Sequence, residues 1–239
     1  MNADKLTLAP LPASLGDASH TLQARRRLES SHQTVQGVLN GLRDARLNRG
    51  ASRGTPRDTD KDLLRAAIAF AGAGVDATLK ALLRDALPTL VLEHGKSGSA
   101  VKAFAKMLFD EEPKTALKVL VSGDPTRKLH DEFVQHRTKG SLQATSDLKQ
   151  ARAALGLSAT GPLSDDSIDA LEMAFAARNQ IIHELDLKTP SGRGDWSKHS
   201  RTMTASVSQI DQLFAITVAF VQTTDKLLET LGRSASTAR

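Results

Sequence analysis

Leu63 to Leu83 reads LLRAAIAFAGAGVDATLKALL. Leu64, Ile68, Ala71, Val75, Leu79 and Leu82 recur every three or four residues, and the stripe runs on to Ala86 and Leu90. Apolar residues at that interval fall on one side of a helix that turns about 100° per residue. The spacing predicts a helix over about 60–93, capped by Thr59 or Asp60. Gly72 and Gly74 weaken it unless a neighbouring backbone comes close there. Pro88 is expected to kink or split its end.

The same period governs the flanking sequence. Residues 1–16, with Pro10, Pro12 and Gly16, predict a flexible lead-in. A first helix is expected over about 18–48, with Leu28, Val35, Leu39 and Leu42 on one face. The segment from Arg49 to Arg57 holds two glycines and a proline and predicts a loop. Short helices follow at about 98–110 and 113–122, then a helical stretch over about 125–154 with a break at Gly140. A turn spans Gly156 to Gly161. Ser164 then caps a helix to about 186, with Asp165 and Asp166 in its first turn, where the helix dipole favours negative charge. A polar loop from Thr189 to Lys198 leads to a last helix over about 198–231, carrying Val207, Ile210, Phe214, Val218, Val221 and Leu228. Gly232 is expected to stop it, leaving 233–239 as a disordered tail. No strand pattern competes. The expected fold is one all-α antiparallel bundle over residues 17–232.

Composition agrees. Apolar residues make up 40% of the 239, but aromatics only 3%, so Ala and Leu must fill the core. Such a core suits close-packed helices better than sheets. The absence of cysteine excludes disulfides, Cys-ligated zinc and thiol chemistry. His130, Glu132 and His136 do not have metal-ligand spacing, so no metal or other cofactor is expected. The start, MNADKLTLAPLPASLGD, lacks a basic n-region and an apolar h-region, and the run from Ala66 to Val75 is too short to span a bilayer. A cytoplasmic protein away from the membrane is the expectation. A net charge of +5 permits attraction to phosphates without specifying nucleic acid.

Chemistry concentrates in Arg178-Asn179-Gln180-Ile181-Ile182-His183. The apolar stripe of that helix is Ile168, Leu171, Ala174, Phe175, Ile181, Ile182 and Leu185, and Arg178 falls near its centre. A guanidinium on an apolar face needs an acidic group, a ligand or a second subunit. The plain alternative is a salt bridge to a neighbouring helix, with His183 an ordinary exposed histidine. Asn179 and His183 share one helix edge, whereas Arg178 and His183 are rotated by roughly 140°. A cleft between two copies of the helix would bring them to one substrate. There, imidazole suits proton transfer from a ribose 2′-hydroxyl and to a leaving oxygen, because this side-chain type titrates near neutrality. Arginine stabilises the phosphate charge.

RNQIIH matches the R-x4-6-H signature of HEPN domains, including the polar residue after the arginine, and Leu63 to Leu83 resembles the early helix of HEPN proteins of the RiboL-PSP type. The resemblance implies a homodimer with motif helices flanking a cleft and metal-independent endoribonuclease activity, often in a toxin or an antiviral effector. By position, Arg178 and His183 would be catalytic and Asn179 supporting. An acidic residue on the earlier helix sometimes joins such sites, and Asp76 is the candidate. The family also holds non-catalytic members, so the alternative is a scaffold binding RNA, a nucleotide or a partner protein. An antitoxin or defence protein is a candidate partner. Arg193, Lys198 and Arg201 follow the motif helix and are expected to guide RNA. Arg25 to Arg27 and Arg49, Arg53 and Arg57 read as a solvated surface, with sequence-blind contact to an RNA backbone as the alternative. Trp196 is expected to anchor its loop on the core, with base stacking as the alternative.

Overall fold

A computed structural model describes residues 6–50, 55–92, 98–188 and 196–237. Among them the regular elements are helical, joined by one isolated bridge, Leu187 to Lys198. The helices are α1 (Leu22–Asn48), α2 (Asp58–Leu92), α3 (Gly98–Glu111), α4 (Pro113–Leu120), α5 (Pro125–Lys139), α6 (Thr145–Ala154), α7 (Asp165–Asp169), α8 (Glu172–Glu184) and α9 (Met203–Thr237).

α2 is the central pillar. Leu64, Ile68, Ala71, Val75, Leu79 and Leu82 are all at most 1% exposed, as their spacing requires. α1, α5, α8 and α9 pack around α2. The helix runs unbroken through Pro88 to Leu92, so the expected split does not occur. α2 and α9 also hold the two segments, Asp58–Val91 and Met203–Arg233, that are long and apolar enough to cross a membrane. The apolar window therefore extends beyond Val75. In this fold 61% of each window is buried against the rest of the chain, as in core helices.

The start of the chain departs from the expected flexible lead-in. Leu6, Leu8 and Leu15 are buried in the core. Gln36 Oε1 accepts from the Leu8 amide at 2.8 Å, Asp211 Oδ1 from Ala9 at 2.9 Å, and Asp225 Oδ1 from Ala18 at 2.9 Å. Long-range side-chain acceptors satisfy amides that no helix serves.

Two expected long helices are divided. The stretch over 125–154 breaks at Gly140, as read, but residues 140–144 form an extended connection that buries Leu142 and Gln143. The helix opened by Ser164, whose Oγ accepts from Ser167 N at 3.2 Å, tightens after Asp169. Leu171 N bonds Ile168 O and Ala174 N bonds Leu171 O, three residues back. That tighter winding keeps Ile168 and Leu171 buried together. At the C-terminus, α9 starts at Met203 rather than 198, because Lys198 and His199 pair with the chain after α8, and it continues past Gly232.

Candidate active site

α8 meets α2 at a glycine. A Cβ on Gly72 would lie 2.9 Å from Arg178 Cγ, so only a residue without a side chain lets the arginine stem cross here. Arg178 is half buried, and Nη1 donates to Asn179 Oδ1 at 3.0 Å. Its Nε is buried without a hydrogen-bond partner, and no carboxylate lies within ion-pair distance among the described residues. The salt-bridge alternative read from the sequence therefore finds no partner there.

His183 is exposed in the last turn of α8. The apolar stripe parts company with the core at this end. Ile168, Leu171, Ala174 and Phe175 are buried, but Ile182 is 46% and Leu185 68% exposed. Phe70 on α2, two residues before Gly72, is exposed as well. A single chain leaves Arg178 and His183 on different sides of α8, as their five-residue separation dictates.

Asp76, one turn beyond Gly72, is engaged elsewhere. Its Oδ1 accepts from Leu142 N at 2.7 Å and its Oδ2 meets Lys80 Nζ at 2.8 Å. It fastens the 140–144 connection to α2. Beside it, Gln143 Nε2 donates to Gly72 O at 3.1 Å, while the buried Gln143 Oε1 has no partner. Gly72 is thus the point where α2, α8 and this connection converge.

The chain leaves α8 through two consecutive left-handed residues, Leu185 (φ 53°) and Asp186 (φ 62°). Aspartate tolerates this region; leucine there is strained. The turn delivers the Asp186 side chain, 0% exposed, between two arginines. Asp186 Oδ2 accepts from Arg65 Nε at 2.6 Å and from Arg201 Nε at 3.1 Å, and Oδ1 accepts from Arg201 Nη2. Arg201 Nη2 also donates to Gln180 Oε1 at 3.1 Å, and Arg65 Nη2 donates to His199 O at 2.9 Å. Burial alone would raise the Asp186 pKa. The hydrogen bonds from Arg201 and Arg65, with their charges, outweigh it and hold the carboxyl below the ordinary aspartate range. This cluster clamps the end of the helix that carries His183.

The expected RNA-guiding cations divide accordingly. Arg201 is only 12% exposed and its guanidinium is committed to Asp186. Lys198 is 44% exposed and pairs with Asp62 at 3.1 Å. Arg193 lies outside the described residues. Trp196 stands 77% exposed rather than anchored on the core, beside a cleft of about 440 Å³ that Lys61 and Lys198 also line. Among the described residues no group of three or more His, Asp or Glu is placed to hold a metal ion. Asp186 and Arg65 escaped the sequence reading. The available cue was Arg65 beside Leu64 and Ile68 in the apolar run, a cation that needed an acid from elsewhere. No family model, curated protein or solved structure matches this chain.

Proposed function

We propose that this chain is a HEPN-like, metal-independent endoribonuclease that works as a homodimer, with Arg178 and His183 as its catalytic residues. The observation that carries the reading is Arg178, half buried over Gly72 with an unsatisfied Nε, on a helix whose far end exposes His183 among Ile182 and Leu185. A buried donor without a partner costs about 1–3 kcal/mol. An RNA phosphate supplies the missing acceptor. The exposed apolar residues supply a surface for a second copy of α8, which closes the rotation between arginine and histidine.

In such a cleft a neutral imidazole takes the proton of a ribose 2′-hydroxyl. The 2′-oxygen forms a bond to phosphorus as the bond to the 5′-oxygen breaks. A protonated imidazole gives the leaving oxygen its proton. Arg178 stabilises the charge that builds on the phosphoryl oxygens. The products carry a 2′,3′-cyclic phosphate and a 5′-hydroxyl. Asn179 steers the Arg178 guanidinium through their hydrogen bond. A cytoplasmic setting and an antitoxin-like or defence partner belong to the same reading.

The test is incubation with total RNA in EDTA. His183→Ala, at an exposed position, should abolish cleavage while circular dichroism and molecular mass stay those of the wild type. Arg178→Ala should do the same. Equal cleavage by the His183 variant, or cleavage only after metal is added, overturns the mechanism.

A further inference from the structure

Arg137, in the last turn of α5, is half buried and has no carboxylate within ion-pair distance among the described residues. The two fully buried arginines, Arg46 and Arg65, each meet an aspartate. Arg137 instead lies with Cζ 5.4 Å from the centre of the Phe133 ring. Its Nη1 donates to Gln150 Oε1 at 2.6 Å, and its Nε is buried without a partner. Burial lowers the guanidinium's pKa from its ordinary value. A desolvated cation held in place by a neutral amide is costly in isolation, and an oxyanion is the partner whose charge-assisted bonds a guanidinium makes best.

The space beside it fits that role. A half-enclosed cavity of about 90 Å³ is bounded by His136, Arg137, Gly140, Ser141, Asp147 and Gln150. At a liquid share of ~30 Å³ per water it holds about three waters, room for one tetrahedral oxyanion and far too little for a nucleotide. Gln150 fixes the guanidinium fork, and the exposed Ser141 brings a hydroxyl to the rim. Asp147 is the one acid on the lining. Burial pushes its carboxyl above the ordinary aspartate range, against the opposing pull of the Ala144 and Gln143 backbone, and it makes no ion pair with Arg137.

We propose that this cavity is a phosphate-class oxyanion site, with Arg137 as its charged donor and Gln150 as the residue that orients it. The anion is either free inorganic phosphate or the end of a phosphate monoester whose remainder stays outside the opening. The site is separate from Arg178 and His183 and does not depend on ribonuclease activity.

Two measurements on the full chain test it: thermal unfolding in phosphate against chloride at matched ionic strength, and titration calorimetry with inorganic phosphate and with adenosine monophosphate. The wild type should gain melting temperature saturably with phosphate. Arg137→Gln should show no saturable gain, yet in phosphate-free buffer it should be at least as stable as the wild type, because it removes an unpaired desolvated charge. Arg137→Lys, which keeps the charge and loses the fork, should bind at least tenfold more weakly. Tighter binding of adenosine monophosphate marks a monoester end; tighter binding of inorganic phosphate marks the free anion. An equal gain in wild type and Arg137→Gln shows general salt stabilisation and overturns the site. So does the absence of calorimetric heat with both ligands. An Arg137→Gln variant less stable than the wild type without phosphate assigns Arg137 a structural role and overturns it too.

Discussion

At the scale of single residues, the proposed site depends on the contact between Gly72 and Arg178. A methyl group at position 72 would sit 2.9 Å from Arg178 Cγ, so Gly72→Ala must displace the arginine stem. The same change should favour α2 itself, since glycine costs a helix interior about 0.5–1 kcal/mol relative to alanine. The prediction is therefore a split: a melting temperature equal to or above wild type, with RNA cleavage lowered on the order of 10- to 100-fold, as expected for a misplaced catalytic group. Cleavage that holds at wild-type rate in a stable Gly72→Ala protein would show that the seating of Arg178 does not matter. The sequence marked Gly72 as a helix weakness needing a close neighbour, and a close neighbour is present; that it would be the Arg178 stem rather than a backbone was not legible, because the crossing of α2 and α8 is set by tertiary packing. Asp76 shows the opposite case. It was a candidate only through the resemblance, and its commitment to Leu142 and Lys80 depends on a connection whose path no local pattern specifies.

At the scale of elements, the end of α8 is shaped by the Arg65–Asp186–Arg201 cluster. Replacing Asp186 by Asn takes away the only carboxylate partner of Arg201 among the described residues and leaves Arg65 with Asp62 alone, and breaking a buried pair of this kind costs about 3–5 kcal/mol. Chemical denaturation should show that loss. Because the folded-state pKa of Asp186 lies below the ordinary value of 3.8, its contribution is complete above the unfolded pKa and fades as pH falls through the folded one. The stability gap between wild type and Asp186→Asn should accordingly be constant at neutral pH and narrow in acid below the ordinary aspartate value. A gap that widens in acid would contradict the assignment. The helices themselves were readable from apolar spacing, most clearly α2, where period and burial coincide. The strap over Leu6 to Ala18 was not, since its buried leucines follow no helical period and its amides are satisfied by α1 and α9 residues far away in sequence. Arg201 likewise looked like a free surface cation because its partner acid comes from the turn after another helix.

At the scale of the whole molecule, the bundle leaves an apolar strip unsealed at the end of α8. Ile182 and Leu185 continue the buried stripe of Ala174 and Phe175, yet they face outward. In the proposed dimer a second copy would cover them and bring two motif helices together. Ile182→Glu with Leu185→Glu places carboxylates in that surface without touching Arg178 or His183. Sedimentation should show a monomer for this double variant, and RNA cleavage should fall at least tenfold. A wild type that sediments as a monomer at the concentrations where it cuts RNA would contradict the paired site. The most direct test of the central claim is the chemistry of the cut ends. RNA cleaved by the wild-type protein in EDTA should carry 2′,3′-cyclic phosphates and 5′-hydroxyls, and no such ends should arise with His183→Ala. Ends bearing 5′-phosphates, or the same cyclic ends from the His183 variant, would contradict a reaction run by Arg178 and His183.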